Sequence, residues 1–132
     1  KETGNAKVFD FLTGEAFEQA LAISSCCVVS LEKGLKGMCA PSKYYSYLQA
    51  GKPVLAIVEE KSYLAEEVEN RGNGCFIPVG KTEQLVELLY RLQSEKKKVK
   101  EMAVLSQQLY NKNYVLQVGM KRYTIMLELL MR

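Results

Sequence analysis

The sequence predicts an α/β fold: a three-layer, Rossmann-like parallel sheet of about four strands with flanking helices and a helical C-terminal tail. Short apolar runs that are typical of strands alternate with amphipathic stretches at helical spacing, and the links between them are short. One run, Pro53–Val58, is apolar throughout, as strands covered on both faces of a parallel sheet are. Such alternation favours right-handed strand–helix–strand crossovers.

Two strands are predicted in the first third of the chain. The run Val8–Leu12 is mostly apolar, and Thr13 is placed to cap the helix that follows it. The second strand, Cys26–Leu31, leads into a loop that contains Gly34 and Gly37. A short amphipathic helix follows this loop.

The short helix and the elements after it have recognisable ends. The helix is expected to stop at Gly51, because glycine readily adopts the left-handed conformation that ends helices. After Pro53–Val58, Ser62 is expected to cap a helix that ends near Gly72. Cys75–Val79 then reads as the fourth strand, and Thr82 opens a longer helix.

Beyond Leu92 the pattern predicts helices only. We expect residues 1–93 to form the core, truncated on its N-terminal side, and residues 94–132 to form a helical extension. The last helix carries an apolar stripe, made of Tyr123, Met126, Leu127 and Leu130. Two alternatives stay open for this stripe: it contacts a partner domain, or it folds back onto the core.

The composition fits one small domain. The chain has 132 residues, of which 48% are hydrophobic, and a net charge of +3, and a domain of this size buries about two-thirds of its unfolded surface. Four lysines between residues 96 and 100 hold much of the positive charge. Because no aromatic residue lies among them, a solvated helix face is favoured over nucleic-acid binding. The four cysteines have no CxxC spacing, so we expect reduced thiols and a cytoplasmic location.

Several enzyme classes are excluded by residue type. The chain has no histidine, which excludes a Ser-His-Asp or Cys-His nucleophile and a histidine-ligated metal within these residues. Asp10 is the single aspartate, so the acidic cluster of a magnesium-dependent phosphoacceptor is missing. Neither GxGxxG nor GxxxxGK[ST] occurs, which argues against a dinucleotide-binding unit and a P-loop NTPase. No metal or cofactor is expected.

The loop after the second predicted strand has the composition of an anion site. Gly34 and Gly37 precede Pro41, Ser42 and Lys43 at a helix start. Free backbone N–H groups and the positive end of a helix dipole would meet there, and both attract phosphate. The alternative is that Ser42 only caps the helix and Lys43 is only solvated.

These residues resemble the C-terminal, nucleotide-sugar-binding domain of GT-B fold glycosyltransferases, in particular family 4 (group 1) members of bacterial surface-polysaccharide assembly. The similarity covers about 70 residues continuously, and its shared positions are Gly34, Gly37, Pro41, Ser42, Lys43, Tyr44, Ala50, Gly51, Lys52, Pro53 and Val54. The later Gly72, Gly74 and the stretch 78–81 also match. The resemblance implies a hexosyltransferase that uses a nucleotide-diphosphate sugar as its substrate.

The resemblance also implies roles for individual residues. Gly34, Gly37, Pro41, Ser42 and Lys43 would hold the diphosphate and the sugar. A second group would contact the nucleoside: Leu12 and Thr13 on the base side and Ser46 on the ribose side. Ser46 departs from the family, which often has a ribose-binding glutamate at this position, and it offers one hydrogen bond in place of a charged contact.

The family pattern extends beyond this chain. Its earlier strands bring an arginine and a lysine to the diphosphate, and an N-terminal domain of the same protein holds the acceptor. We therefore expect this fragment alone to be inactive, and the resemblance allows peripheral association of the full-length enzyme with the inner face of the membrane. A hypothesis of a different class is a non-catalytic α/β module that binds a partner protein through the C-terminal helix.

Overall fold

A computed structural model describes residues 4–131, which form three strands and six helices. The elements, in chain order, are α1 (Gly14–Ile23), β1 (Cys27–Ser30), α2 (Ser42–Gln49), β2 (Val54–Val58), α3 (Tyr63–Arg71), β3 (Gly74–Pro78), α4 (Thr82–Ser94), α5 (Lys96–Asn113) and α6 (Leu116–Leu130). The links are short, and a helix precedes or follows each strand. The predicted α/β class is confirmed.

The sheet is parallel, with β2 between β1 and β3. Val54 lies opposite Cys27 on one side and Gly74 on the other. At this point the backbones of β2 and β3 approach closely, and a Cβ at position 74 would collide with the carbonyl oxygen of Val54. The pairing of β2 with β3 in this register therefore requires glycine at position 74.

Helices cover both faces of the sheet and create three layers. Alternate residues of β2 point to opposite faces, so Ala56 and Leu55 belong to different clusters. The first cluster joins β1 and β2 to α2, α3 and α5, and contains Val29, Tyr44, Leu48, Val54, Ala56, Val58, Leu64, Ala65, Val68 and Leu109. The second cluster joins β2 and β3 to α4 and contains Leu55, Ile77 and Leu88.

The prediction of a strand at Val8–Leu12 is wrong. The described sheet therefore has three strands, whereas about four were expected. Residues 6–13 have no regular structure, and the side chains of Val8 and Phe11 are 98% and 94% exposed. A strand needs a neighbour to complete its backbone hydrogen bonds. Among residues 4–131 this run pairs with none, and apolar composition alone cannot supply one.

The predicted helix ends are largely confirmed. The Ser62 hydroxyl caps α3 by accepting a hydrogen bond from the Ala65 amide at 3.3 Å, and Gly72 ends that helix with a φ of 64°. Gly51 follows α2 with a φ of 63°. Thr13 does precede α1, but its side chain makes no capping hydrogen bond.

The two tail helices differ in how they pack. Met102, Ser106 and Leu109 of α5 are buried, whereas α6 has no buried residue. The stripe of Tyr123, Met126, Leu127 and Leu130 is exposed, so it does not fold back onto the described core. The boundary between the predicted core (1–93) and the predicted helical extension (94–132) stays a prediction. Residues 1–3 of the predicted core lie outside the part of the chain that the structure describes.

Two further observations concern the whole described region. The thiols of Cys26, Cys27, Cys39 and Cys75 are all free. None of the helices between residues 4 and 131 combines the length and the apolar content that crossing a membrane requires.

Candidate functional site

The loop that the sequence singled out lies at the carboxyl edge of the sheet, directly after β1. Gly34 and Gly37 have φ values of 91° and 76°, and a Cβ at either position would meet no atom within 4 Å. The backbone conformation, and not a lack of space, therefore favours glycine at these positions. Almost all of residues 32–43 are exposed, so the loop is open to solvent.

A carboxylate of the same chain occupies part of this loop. The Oε2 atom of Glu59 accepts hydrogen bonds from the amides of Gly34, at 3.0 Å, and Lys36, at 3.2 Å. The Lys36 ammonium donates to the carbonyl oxygen of Glu60 at 3.4 Å. Two backbone N–H groups thus converge on one anionic oxygen, which is the geometry of an anion-binding loop.

Glu59 was missed from the sequence, although a signal for it was present. It is the first residue after the buried strand β2. Because β1 and β2 are parallel neighbours, their carboxyl ends meet at one edge of the sheet. The first polar residue after β2 is therefore a natural neighbour of the loop after β1.

The start of α2 forms the second part of the site. Pro41 occupies the N-cap position, and Ser42 and Lys43 are exposed in the first turn. The amides of Ser42 and Lys43 donate to no other group among residues 4–131. Two N–H groups and the Lys43 charge are consequently available to a ligand at this helix end.

Buried side chains hold α2 in place. Tyr44 and Leu48 are 1% and 0% exposed, and Asn73 donates a long hydrogen bond of 3.4 Å to the Tyr44 hydroxyl. The rings of Tyr44 and Tyr45 meet edge to face with their centroids 5.4 Å apart. Burial raises the pKa of Tyr44 far above its ordinary value, which agrees with its place in the core. The helix start is therefore presented by an element whose inner side chains belong to the core.

A further aromatic and polar group joins α3 to the end of α5. The Tyr114 hydroxyl donates to the Glu67 carboxylate at 3.0 Å and lies 3.3 Å from the Tyr63 hydroxyl. The Arg71 guanidinium is 3.5 Å from the other Glu67 oxygen. Burial, followed by the hydrogen bonds with Tyr63 and Glu67, raises the pKa of Tyr114 strongly. These contacts stabilise the fold.

The residues predicted to contact the nucleoside lie outside the glycine loop and the first turn of α2. Ser46 lines a groove of about 440 Å³ together with Phe17 and Glu18 of α1. Leu12 is half-buried, and Thr13 is exposed at the start of α1. The roles of Ser46, Leu12 and Thr13 stay predictions, as do those of Gly34, Gly37, Pro41, Ser42 and Lys43.

A cavity lined by described residues lies away from the carboxyl edge of the sheet. Its volume is about 560 Å³, it lies at the opposite, amino edge, and none of residues 34–43 lines it. In open α/β sheets ligands bind outside the carboxyl ends of the strands, so we place the candidate site at the loop in spite of its shallow form. Within the described part of the chain, no three His, Cys, Asp or Glu side chains group as metal ligands.

The fold is that of an α/β protein with a loop at the carboxyl edge of a parallel sheet, and two amides of this loop hold the Glu59 carboxylate. Over 58 residues the chain is 34% identical to a probable glycosyltransferase, WbjE, of Pseudomonas aeruginosa. The matched segment makes up 44% of this chain and 14% of that relative. No protein-family profile and no solved structure matches the chain. The match supports a distant relationship to glycosyltransferases, over part of the chain only.

Proposed function

We propose that this chain is the donor-binding part of a glycosyltransferase, which transfers a sugar from a nucleotide-diphosphate sugar to an acceptor. The observation that carries the proposal is the Glu59 carboxylate oxygen held by the Gly34 and Lys36 amides. This contact supports the view that the loop accepts an anionic oxygen. The partial similarity to a probable glycosyltransferase supports the class of reaction.

In this proposal the diphosphate binds between the loop and the start of α2. It competes with Glu59 for the amides of Gly34 and Lys36, and it meets the unpartnered amides of Ser42 and Lys43. The Lys43 ammonium adds a positive charge. As the bond between the sugar and the diphosphate breaks, negative charge grows on the leaving group, and these donors stabilise it.

The proposal assigns the other steps to parts of the protein beyond the loop and the start of α2. The acceptor binds a separate N-terminal domain of the same protein, and closure of the two domains excludes water. The fragment alone is inactive, and the full-length enzyme works in surface-polysaccharide or glycan synthesis on the cytoplasmic side. The nucleoside of the donor contacts Leu12 and Thr13 with its base and Ser46 with its ribose.

The test is an NMR titration of the full-length protein with UDP, GDP and their sugar derivatives. The expected result is a saturable shift of the amide signals of Gly34, Lys36, Ser42 and Lys43. Uridine, which lacks the diphosphate, serves as the control and should leave these four signals unchanged. If no nucleotide shifts them, the proposal is wrong.

A second function is favoured by the exposed stripe of α6. Tyr123, Leu127 and Leu130 are 67%, 54% and 76% exposed, which is unusual for large apolar side chains grouped on one face of a helix. A non-catalytic interaction module would use this face to form a defined dimer or complex. Light scattering tests it: the intact chain should associate, and Leu127→Gln with Leu130→Gln should restore the monomer. A monomeric intact chain would dismiss self-association through this face.

A further inference from the structure

We propose that the cavity at the amino edge of the sheet binds an anionic amphiphile, a molecule with one hydrocarbon chain and a phosphate or carboxylate head. Its volume of about 560 Å³ lies within the range of small-molecule sites. The segments that lead into β1 and β2 form one side of it, and the end of α4 and the beginning of α5 form the other. It is thus remote in the fold from the loop proposed for the donor.

The wall of the cavity is mainly apolar. Its hydrocarbon surface comes from Pro53, Leu89, Leu92, Val99 and Ala103. A cavity of about 150 Å³ lined by such side chains holds benzene, so this one has room for a chain of about ten carbons. Burial of such a chain would supply most of the binding free energy, because each CH₂ group removed from water adds to it.

The charged side chains that line the cavity are all positive. Lys52, Lys96 and Lys100 line it, and no Asp or Glu does. The Lys52 ammonium donates to the Ala22 carbonyl oxygen at 2.9 Å and is therefore partly occupied. Neither Lys96 nor Lys100 forms a salt bridge within residues 4–131, so these two ammonium groups are available to an anionic head.

The two other lysines between residues 96 and 100 differ from Lys96 and Lys100 because each has a carboxylate neighbour. Lys97 lies 4.0 Å from Glu101 and Lys98 lies 3.5 Å from Glu95. The second pair is a charge contact only, because the Glu95 oxygen accepts no hydrogen bond in the described structure. The lysines that have carboxylate neighbours are thus those that do not line the cavity. This division favours an external anion at Lys96 and Lys100.

Calorimetric titration of the full chain with decyl phosphate, below its micelle concentration, tests the proposal. We expect saturable binding of one molecule per chain and a rise of the melting temperature, because a ligand of the folded state stabilises it. Decanol, which has the chain without the charge, should bind at least about tenfold more weakly. Decanoate then distinguishes a carboxylate head from a phosphate head. Equal binding of decanol, or no binding of either anion, would overturn the proposal.

Matched variants locate the site. Lys96→Gln with Lys100→Gln should weaken decyl phosphate binding about tenfold, whereas Lys97→Gln with Lys98→Gln, which changes the net charge equally, should weaken it less than about twofold. On α4, Leu89→Gln should weaken binding, and Val86→Gln, one turn away and similarly exposed, should not. Equal losses within either pair would show non-specific attachment and refute the assignment.

Discussion

The side chain of Glu59 occupies two backbone amides of the glycine loop. Its carboxylate holds the amides of Gly34 and Lys36 at 3.0 and 3.2 Å. Hydrogen bonds to charged groups are stronger than those between neutral groups. Under the proposed function, an incoming diphosphate would displace a competitor that is already in place, and we expect Glu59 to lower the affinity of the loop for anions.

Glu59→Gln should raise the affinity of the loop for pyrophosphate about threefold to tenfold, because a neutral amide oxygen competes less well for the two N–H groups. The affinity is measured from the amide shifts of Gly34 and Lys36 during a titration. Glu60→Gln is the control, since it removes the same charge while the side-chain contact of Glu59 remains. Equal affinities in the two variants would contradict the competition.

If the Gly34 and Lys36 signals move on Glu59→Gln but no anion moves them in either variant, the contact with Glu59 stands and the donor-binding proposal fails. The two ideas are therefore tested separately in one experiment.

Position 74 has no room for a side chain, because the backbone of the adjacent strand lies too close. A Cβ at this position would collide with the backbone of Val54 in the adjacent strand. Gly74→Ala should lower the free energy of unfolding by about 3 kcal/mol or more, as measured by urea denaturation. Gly119→Ala in α6, where a Cβ meets no atom within 4 Å, should be neutral or stabilising by up to about 1 kcal/mol. Similar losses for both would contradict the steric explanation.

At the element scale, the helices differ in what fixes their ends. α3 has a side-chain cap at Ser62 and a left-handed glycine at Gly72, and it packs firmly against the sheet. α1 has Thr13 at the equivalent N-terminal position without a capping hydrogen bond, and it has no buried residue. Both the caps at its ends and its contacts with the core thus fix the position of α3.

This contrast predicts the effect of removing each cap residue. Ser62→Ala should lower the free energy of unfolding by about 1 kcal/mol, since the Ala65 amide loses its partner. Thr13→Ala should change it by less than about 0.5 kcal/mol. Urea denaturation of both variants gives the comparison, and a larger loss at Thr13 would mean that its hydroxyl has a partner which this structure does not show.

In the fold as a whole, the buried Tyr44 and the half-buried Tyr114 connect α2 to the end of α5 and link stability to pH. The pKa values of Tyr44 and Tyr114 are both raised, chiefly by burial. The folded state therefore keeps these protons at a pH at which the unfolded chain, with an ordinary tyrosine pKa of about 10, releases them. Their contribution to stability is complete below that value and is lost as the pH rises above it.

The free energy of unfolding should accordingly fall between about pH 10 and pH 11.5. Tyr114→Phe should make this fall less steep, and at pH 8 it should cost about 1 to 2 kcal/mol, because Glu67 loses a hydrogen bond. Tyr123→Phe, on an exposed residue of α6, is the matched control and should keep the slope. Urea denaturation across this pH range measures it, and an unchanged slope in Tyr114→Phe would exclude Tyr114 as a source.

Local signals in the sequence determined much of the fold: the alternation that predicts a parallel sheet, the apolar strand at Pro53–Val58, the cap at Ser62 and the glycine ends at Gly51 and Gly72. Each depends on residues a few positions apart, so the sequence displays it directly. The glycine loop was predicted in the same way, from its local composition, and its binding of phosphate stays a prediction.

The features of the fold and the site that the sequence did not predict depend on contacts between distant segments of the chain. Whether Val8–Leu12 becomes a strand depends on a neighbouring strand, which no local pattern reports. The contact of Glu59 with Gly34 joins residues 25 positions apart, and it exists because β1 and β2 are adjacent and parallel. Likewise, the exposure of the α6 stripe depends on packing between elements. Long-range pairing is a property of the assembled chain, and for that reason these features could not be read from sequence.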